Sequence, residues 1–120
     1  MQRTFLLAGA LAGLVGVALG AFGAHGLRGR FSPDMLAVFE TGVRYQMYHA
    51  LALMAIAALS DRLSGHLIVA AGWLFVTGIV LFSGSLYLLA ATGVAVLGAI
   101  TPIGGVAFLA GWACLVIAML

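Results

Sequence analysis

Ahead of an apolar run at 50–59 the chain carries Glu40, Arg44, Tyr45, Gln46, Tyr48 and His49. These are its densest chemistry-bearing residues. On a helical wheel at about 100° per residue they divide into two faces. Glu40, Arg44 and Tyr48 fall on one face, a turn apart. Gly42, Gln46 and His49 fall nearly opposite, with Tyr45 beside them. The first face reads as a water boundary. Glu40 ahead of Arg44 is the favourable order for an interfacial helical ion pair, an arginine there reaches headgroups along its apolar stem, and tyrosines favour the interface. The second face is harder to dismiss. His49 lies deeper than Arg44, and an imidazole at that depth must look into protein or a wet cavity.

Other polar side chains are expected to join it. The stretch "GAFGAHGLRGR" (20–30) brings His25 out on the membrane side where the Gln46 helix begins. "FSGSLY" (82–87) places Ser83, Ser85 and Tyr87 near the far end of a later helix, which an antiparallel arrangement returns to that side. His25, Gln46, His49, Ser83, Ser85 and Tyr87 therefore form one candidate polar pocket. Its plainest use is a hydrogen-bonded clasp joining the first three helices. The alternative is a small-solute or proton conduit through His25, Gln46 and His49, since imidazole titrates near neutrality. Ser83 and Ser85 have a local use as well, bonding back to helix carbonyls. His66 opens the third helix on the other side and stays outside the pocket.

Sharper chemistry finds less support. Two histidines, His25 and His49, are too few to specify haem, which remains a third reading. Zinc needs three or four ligands at usable spacing, and the chain has no HxxxH, HExxH or CxxC. Nucleophilic catalysis needs a base and an orienter beside the nucleophile, yet the apolar spans carry no carboxylate. The expectation is a non-enzymatic protein with no metal and no cofactor.

The elements that hold these residues follow from composition. Of 120 residues, 65% are hydrophobic and 7% charged. A soluble domain is about half apolar and about a quarter charged, so the surroundings of this chain are mostly hydrocarbon. A net charge of +2, with arginine supplying every basic side chain, is too little for nucleic acid. Crossing a hydrocarbon core takes roughly 20 apolar residues as a helix. Four segments qualify: about 5–25, 33–59 with an interfacial start, 66–91 and 102–120. Continuous apolar runs without two-residue alternation exclude barrel strands. The predicted fold is all-α, one integral membrane bundle of four transmembrane helices with short loops. Ser32, Pro33 and Asp34 read as N-cap, first helical residue and first-turn acid of the second helix. Thr101-Pro102 reads as the start of the fourth, and 94–100 as an interfacial or partly buried connection.

Two stripes of small residues stand out. Gly9, Gly13, Gly16, Gly20 and Gly23 follow each other at spacings of four and three, as do Gly104, Ala107, Gly111, Cys114 and Ala118. Membrane helices associate through close backbone approach, which small residues permit, so both stripes are expected to be packing faces within the bundle or between copies. Cys114 is one small residue of the second stripe. The first helix, with Arg3 ahead of it, also has the outline of a signal peptide. Its glycine face favours a retained helix. Arg28, Arg30 and Arg44 against Arg3 and Arg62 orient the first loop towards the cytoplasm, with both termini outside. The expected partners are the lipid bilayer, a homo-oligomer or a larger membrane complex, in the cell (inner) membrane.

Four motifs in order, "GAFGAHGL" (20–27), "YQMYHALAL" (45–53), "LFSGSLYLLA" (81–90) and "ITPIGGVAFLAGW" (100–112), resemble the small membrane-protein family known as Domain of Unknown Function 423. The resemblance spans almost the whole chain. It implies about four transmembrane helices in an inner or plasma membrane and no established activity. It also includes the first helix in the family pattern.

Overall fold

The computed structural model describes all 120 residues, and every regular element in it is helical. The chain runs α1 (Gln2–His25), α2 (Pro33–Ala58), α3 (His66–Gly78), a π-helical segment (Ile79–Ser83), α4 (Gly84–Thr92), a 3-10 turn (Ala95–Ala99) and α5 (Thr101–Ala118). The segments from α3 to α4 form one rod, so four long rods result. Three pieces are long and apolar enough to cross a membrane: Gln2–His25, His66–Thr92 and Ala95–Ala118. The fourth rod, α2, has 26 residues. Its composition falls short because Asp34, Glu40, Arg44, Gln46 and His49 crowd its first two thirds.

Local sequence sets the helix boundaries. Ser32 Oγ accepts from the Met35 backbone N–H at 3.2 Å and Pro33 opens α2, satisfying a terminal N–H that no intrahelical carbonyl reaches. Gly93 ends α4 at φ +71, a left-handed conformation that costs glycine nothing and most residues dearly. Pro102 lies in the first turn of α5, where its missing N–H removes no helical bond. The connection before it is a short exposed 3-10 turn with no buried residue.

The rods pack as two antiparallel pairs. Along α1, Gly9 meets Ala50, Leu53 and Met54, Gly16 meets Met47, Gly20 meets Val43 and Gly23 lies under Phe39. A methyl group at Gly16 would stand 2.5 Å from Met47 Sδ. In the second pair, Gly111 faces Phe75, Gly78 lies under the Phe108 ring and Gly104 presses on the Phe82 backbone, with Ala107 buried between them. Each glycine admits a bulky residue of the opposite helix. Gly13 departs from the expected stripe: nothing lies within 4 Å of where its Cβ would be. The antiparallel register sets it between the levels of Met47 and Leu53, where α2 offers only the small Ala50.

The pairs join where α2 crosses α3 and α4. Two apolar clusters form along this seam. The larger holds Phe5, Leu53, Ile56, Ala71, Phe75 and Phe108. The smaller, at the α1–α2 loop end, holds Leu27, Phe39 and Ala90. Polar side chains occupy the level between them. The whole is flattened, measuring 47 × 26 × 18 Å.

Candidate functional site: a belt of interhelical polar ties

The belt is built on α2, which buries Gly42, Gln46 and His49, the face that the helical wheel groups together. Gln46 and His49 are each 4% exposed. Gln46 spans two neighbours at once. Its Nε2 donates to the Ala12 carbonyl of α1 at 2.8 Å, and its Oε1 accepts the Tyr87 hydroxyl of α4 at 2.6 Å. The Tyr87 ring fills the space left by Gly42. Ser83 Oγ donates to the Gly42 carbonyl at 2.6 Å, a second tie between the same rods.

Ser83 and Ser85, two residues apart, face about 200° from each other, and the π-helical segment sets which neighbours they meet. A π turn inserts one extra residue into the helical ladder and shifts the facing of everything after it. Ser83, at its end, points to α2. Ser85, two residues on, points away and shares a 2.6 Å hydrogen bond with Thr101 Oγ1 of α5. It also donates to the Phe82 carbonyl at 2.9 Å. Ser85 therefore makes both the local bond and a tie between rods.

His49 turns to the flank of this face next to α5. Its ring stacks on Phe108 with centroids 3.6 Å apart and planes within 9°, and Phe75 packs at 5.2 Å. Trp112 Nε1 donates to His49 Nε2 at 3.1 Å. An indole nitrogen only donates, so Nε2 is the unprotonated, accepting nitrogen. Nδ1 then carries the hydrogen and donates to the Tyr45 carbonyl at 2.7 Å. This tautomer uses both ring nitrogens. No buried side-chain nitrogen or oxygen anywhere in the chain lacks a partner.

The belt differs from the expected single pocket in three ways. His25 stays outside, exposed at the end of α1. It lies two residues past Gly23, whose contact with Phe39 fixes that face inward, so His25 is turned by about 200° to the open side. Gln46 and His49 do not share a cavity, because one faces α1 and α4 and the other faces α5. The ties also reach all four rods rather than the first three. A paired haem through His25 and His49 loses its geometry, since one imidazole is exposed and the other has both nitrogens engaged. Glu40 and Arg44 are exposed a turn apart on the open side of α2. No three His, Cys, Asp or Glu side chains gather closely enough to hold a metal ion.

Trp112, Phe108 and Thr101 join the belt although the sequence reading did not include them in the pocket. One signal pointed to Trp112: an indole N–H deep in an apolar span needs an acceptor, and His49 was the unassigned one. Ala12 gave no signal, because it contributes only a backbone carbonyl.

Comparison with known proteins places the chain among membrane proteins of unknown function. The profile of a family described as protein of unknown function, DUF423, matches residues 19–105. The chain is 54% identical to the UPF0382 membrane protein YwdK of Bacillus subtilis, over 98% of this chain and 96% of that one. It is 52% identical to the UPF0382 membrane protein SERP0230 of Staphylococcus epidermidis, over 99% and 97%. It is 50% identical to the UPF0382 membrane protein SH2409 of Staphylococcus haemolyticus, over 97% and 94%. No solved structure matches.

Proposed function

The chain belongs to the DUF423 family of membrane proteins, and from that premise we propose that it is a four-span, non-enzymatic packing or accessory protein of the cell (inner) membrane. In this reading α2 crosses with the other three rods. Its polar residues are compatible with lipid because Gln46 and His49 are turned into protein and fully paired. Its first two turns, with Asp34 and Glu40, stand in the interface, and Arg44 marks the boundary. Both termini lie outside the cytoplasm. The rod docks with copies of itself or with a larger membrane protein.

The observation that carries the reading is the closure of the belt. Every buried polar side-chain atom already has a partner within the chain, so the belt holds helices together and keeps no free group for a substrate. Interhelical hydrogen bonds in membrane proteins contribute about 0.6 kcal/mol on average, and several such ties fix one arrangement of four rods.

His49→Leu tests this against a conduit. A clasp loses thermal stability in detergent and shows no pH-dependent flux in liposomes before or after the change. A conduit stays folded and loses flux with the substitution, which would overturn the proposal. Topology is read separately. In a Cys114→Ala chain, single cysteines at Gly29 and Ser64 are labelled from opposite membrane faces if α2 spans, and from the same face if it does not. Mild-detergent purification that returns a specific larger complex or a stable homo-oligomer supports the docking role. A strict monomer without companions counts against it.

A further inference from the structure

The two helix pairs leave a groove between α2 and α5, whose backbones stay apart and whose side chains meet at His49, Phe108 and Trp112. Its walls are Tyr45, Phe82, Pro102, Phe108, Leu109 and Trp112, enclosing about 390 Å³. We propose that this groove holds one acyl chain of a membrane phospholipid, with the lipid phosphate at Arg44.

Length decides the occupant. The groove follows α5 from Pro102 to Trp112, about 15 Å at 1.5 Å per residue. That is half of a hydrocarbon core about 30 Å thick, the depth of one leaflet. Trp112 closes the lower end, because its indole reaches across to His49 at 3.1 Å. Beyond that bar lies a separate hollow of about 100 Å³ between Ala52 and Met119. A transmembrane helix of a partner needs the full membrane depth and meets the Trp112 bar halfway. A single acyl chain ends where the bar begins.

Chemistry along the groove agrees. Rings and aliphatic side chains line it, and the polar edge of His49 is already engaged by Trp112. The upper end lies at Tyr45; Arg44, an exposed cation, stands at the same level about 100° round α2 from it, outside the lining, and its long stem lets the guanidinium reach round to headgroup level. A phosphate oxygen pair fits a guanidinium fork. Gly105 lines the wall, and a Cβ there would stand 3.8 Å from Phe82, so a larger side chain at Gly105 enters the groove without striking backbone.

The inference rests on the four-span reading, and one experiment separates the two. The chain has two tryptophans of matched exposure, Trp73 at 46% and Trp112 at 45%, seven and six residues from rod ends (His66 and Ala118) on the same side of the bundle. Only Trp112 lines the groove. The full chain is reconstituted in phospholipid bilayers containing phospholipid brominated on its acyl chains. Trp73→Phe isolates Trp112, and subtraction from the unmodified chain gives Trp73.

Occupancy predicts that Trp112 loses a larger share of its emission than Trp73 at the same brominated fraction, because a chain held in the groove stays against its indole. Gly105→Leu then abolishes the difference, and Arg44→Gln reduces it. Equal quenching of both indoles, indifferent to Gly105→Leu, overturns the groove while leaving insertion intact. Protection of Trp112 with normal quenching of Trp73 also overturns it and points to a protein occupant. Absence of quenching at Trp73 defeats insertion itself.

Discussion

The Trp112 indole donates to His49 Nε2 across 3.1 Å, joining residues 63 positions apart and linking α2 to α5 where their backbones do not meet. This bond selects the tautomer of His49 and closes the lateral groove at its Trp112 end. It is also the tie that shape complementarity replaces least, because the flanking helices are separated here.

A double-mutant cycle on His49→Leu and Trp112→Phe is expected to give a coupling energy of about 0.6 kcal/mol, up to about 1.7. Thermal melts in one detergent provide the four values. Additive effects would mean that the bond contributes nothing beyond ring packing.

Gln46→Leu leaves the Tyr87 hydroxyl buried without its acceptor. The expected loss is about 1–3 kcal/mol, larger than that for Tyr87→Phe, which removes the hydroxyl along with its need. The double variant should cost less than the sum of the two, since both remove one shared bond. Reversible unfolding in mixed micelles reads these differences.

Gly104 and Gly13, one from each stripe, should respond to alanine with opposite signs. Gly104→Ala forces a methyl group into the Phe82 backbone and is expected to destabilise by about 1–3 kcal/mol. Gly13→Ala meets open space and is expected to stabilise by up to about 1 kcal/mol through helix propensity. Melting temperatures of the two variants moving in the same direction would contradict the assigned packing.

Ser32→Ala removes the acceptor of the Met35 N–H. A lost N-cap costs about 1 kcal/mol. Because the cap serves only the first turn, hydrogen exchange should accelerate at Met35 and its neighbours while the Gln46 and His49 level stays protected. Uniform acceleration would place the start of α2 inside the cooperative core.

Much of the helical layout was legible because its causes are local. Ser32-Pro33 and Thr101-Pro102 carry the boundaries of α2 and α5 in their own chemistry. Gly42, Gln46 and His49 share a face because three- and four-residue steps fix that before any neighbour arrives. The π-helical segment was not legible in "IVLFSGS" (79–85), since nothing in those side chains forbids an ordinary turn. The two-residue spacing already turns Ser83 and Ser85 apart, but the extra residue of that segment decides which rod each one meets. The misplacement of His25 has a similar origin: sharing a membrane side with His49 says nothing about which way each ring points.

Hydrocarbon as the main surroundings, helices as the form, and polar residues compelled to face protein all followed from composition and periodicity, because they are properties of single segments in their solvent. Which carbonyl Gln46 finds, which ring nitrogen of His49 accepts, and that the four rods divide into two pairs with a seam where α2 crosses α3 and α4 were decided only by tertiary packing. Those outcomes depend on where Phe39, Met47, Phe82 and Phe108 seat themselves over glycines far away in the chain, and such pairings between distant segments leave no imprint on the pattern of either segment alone.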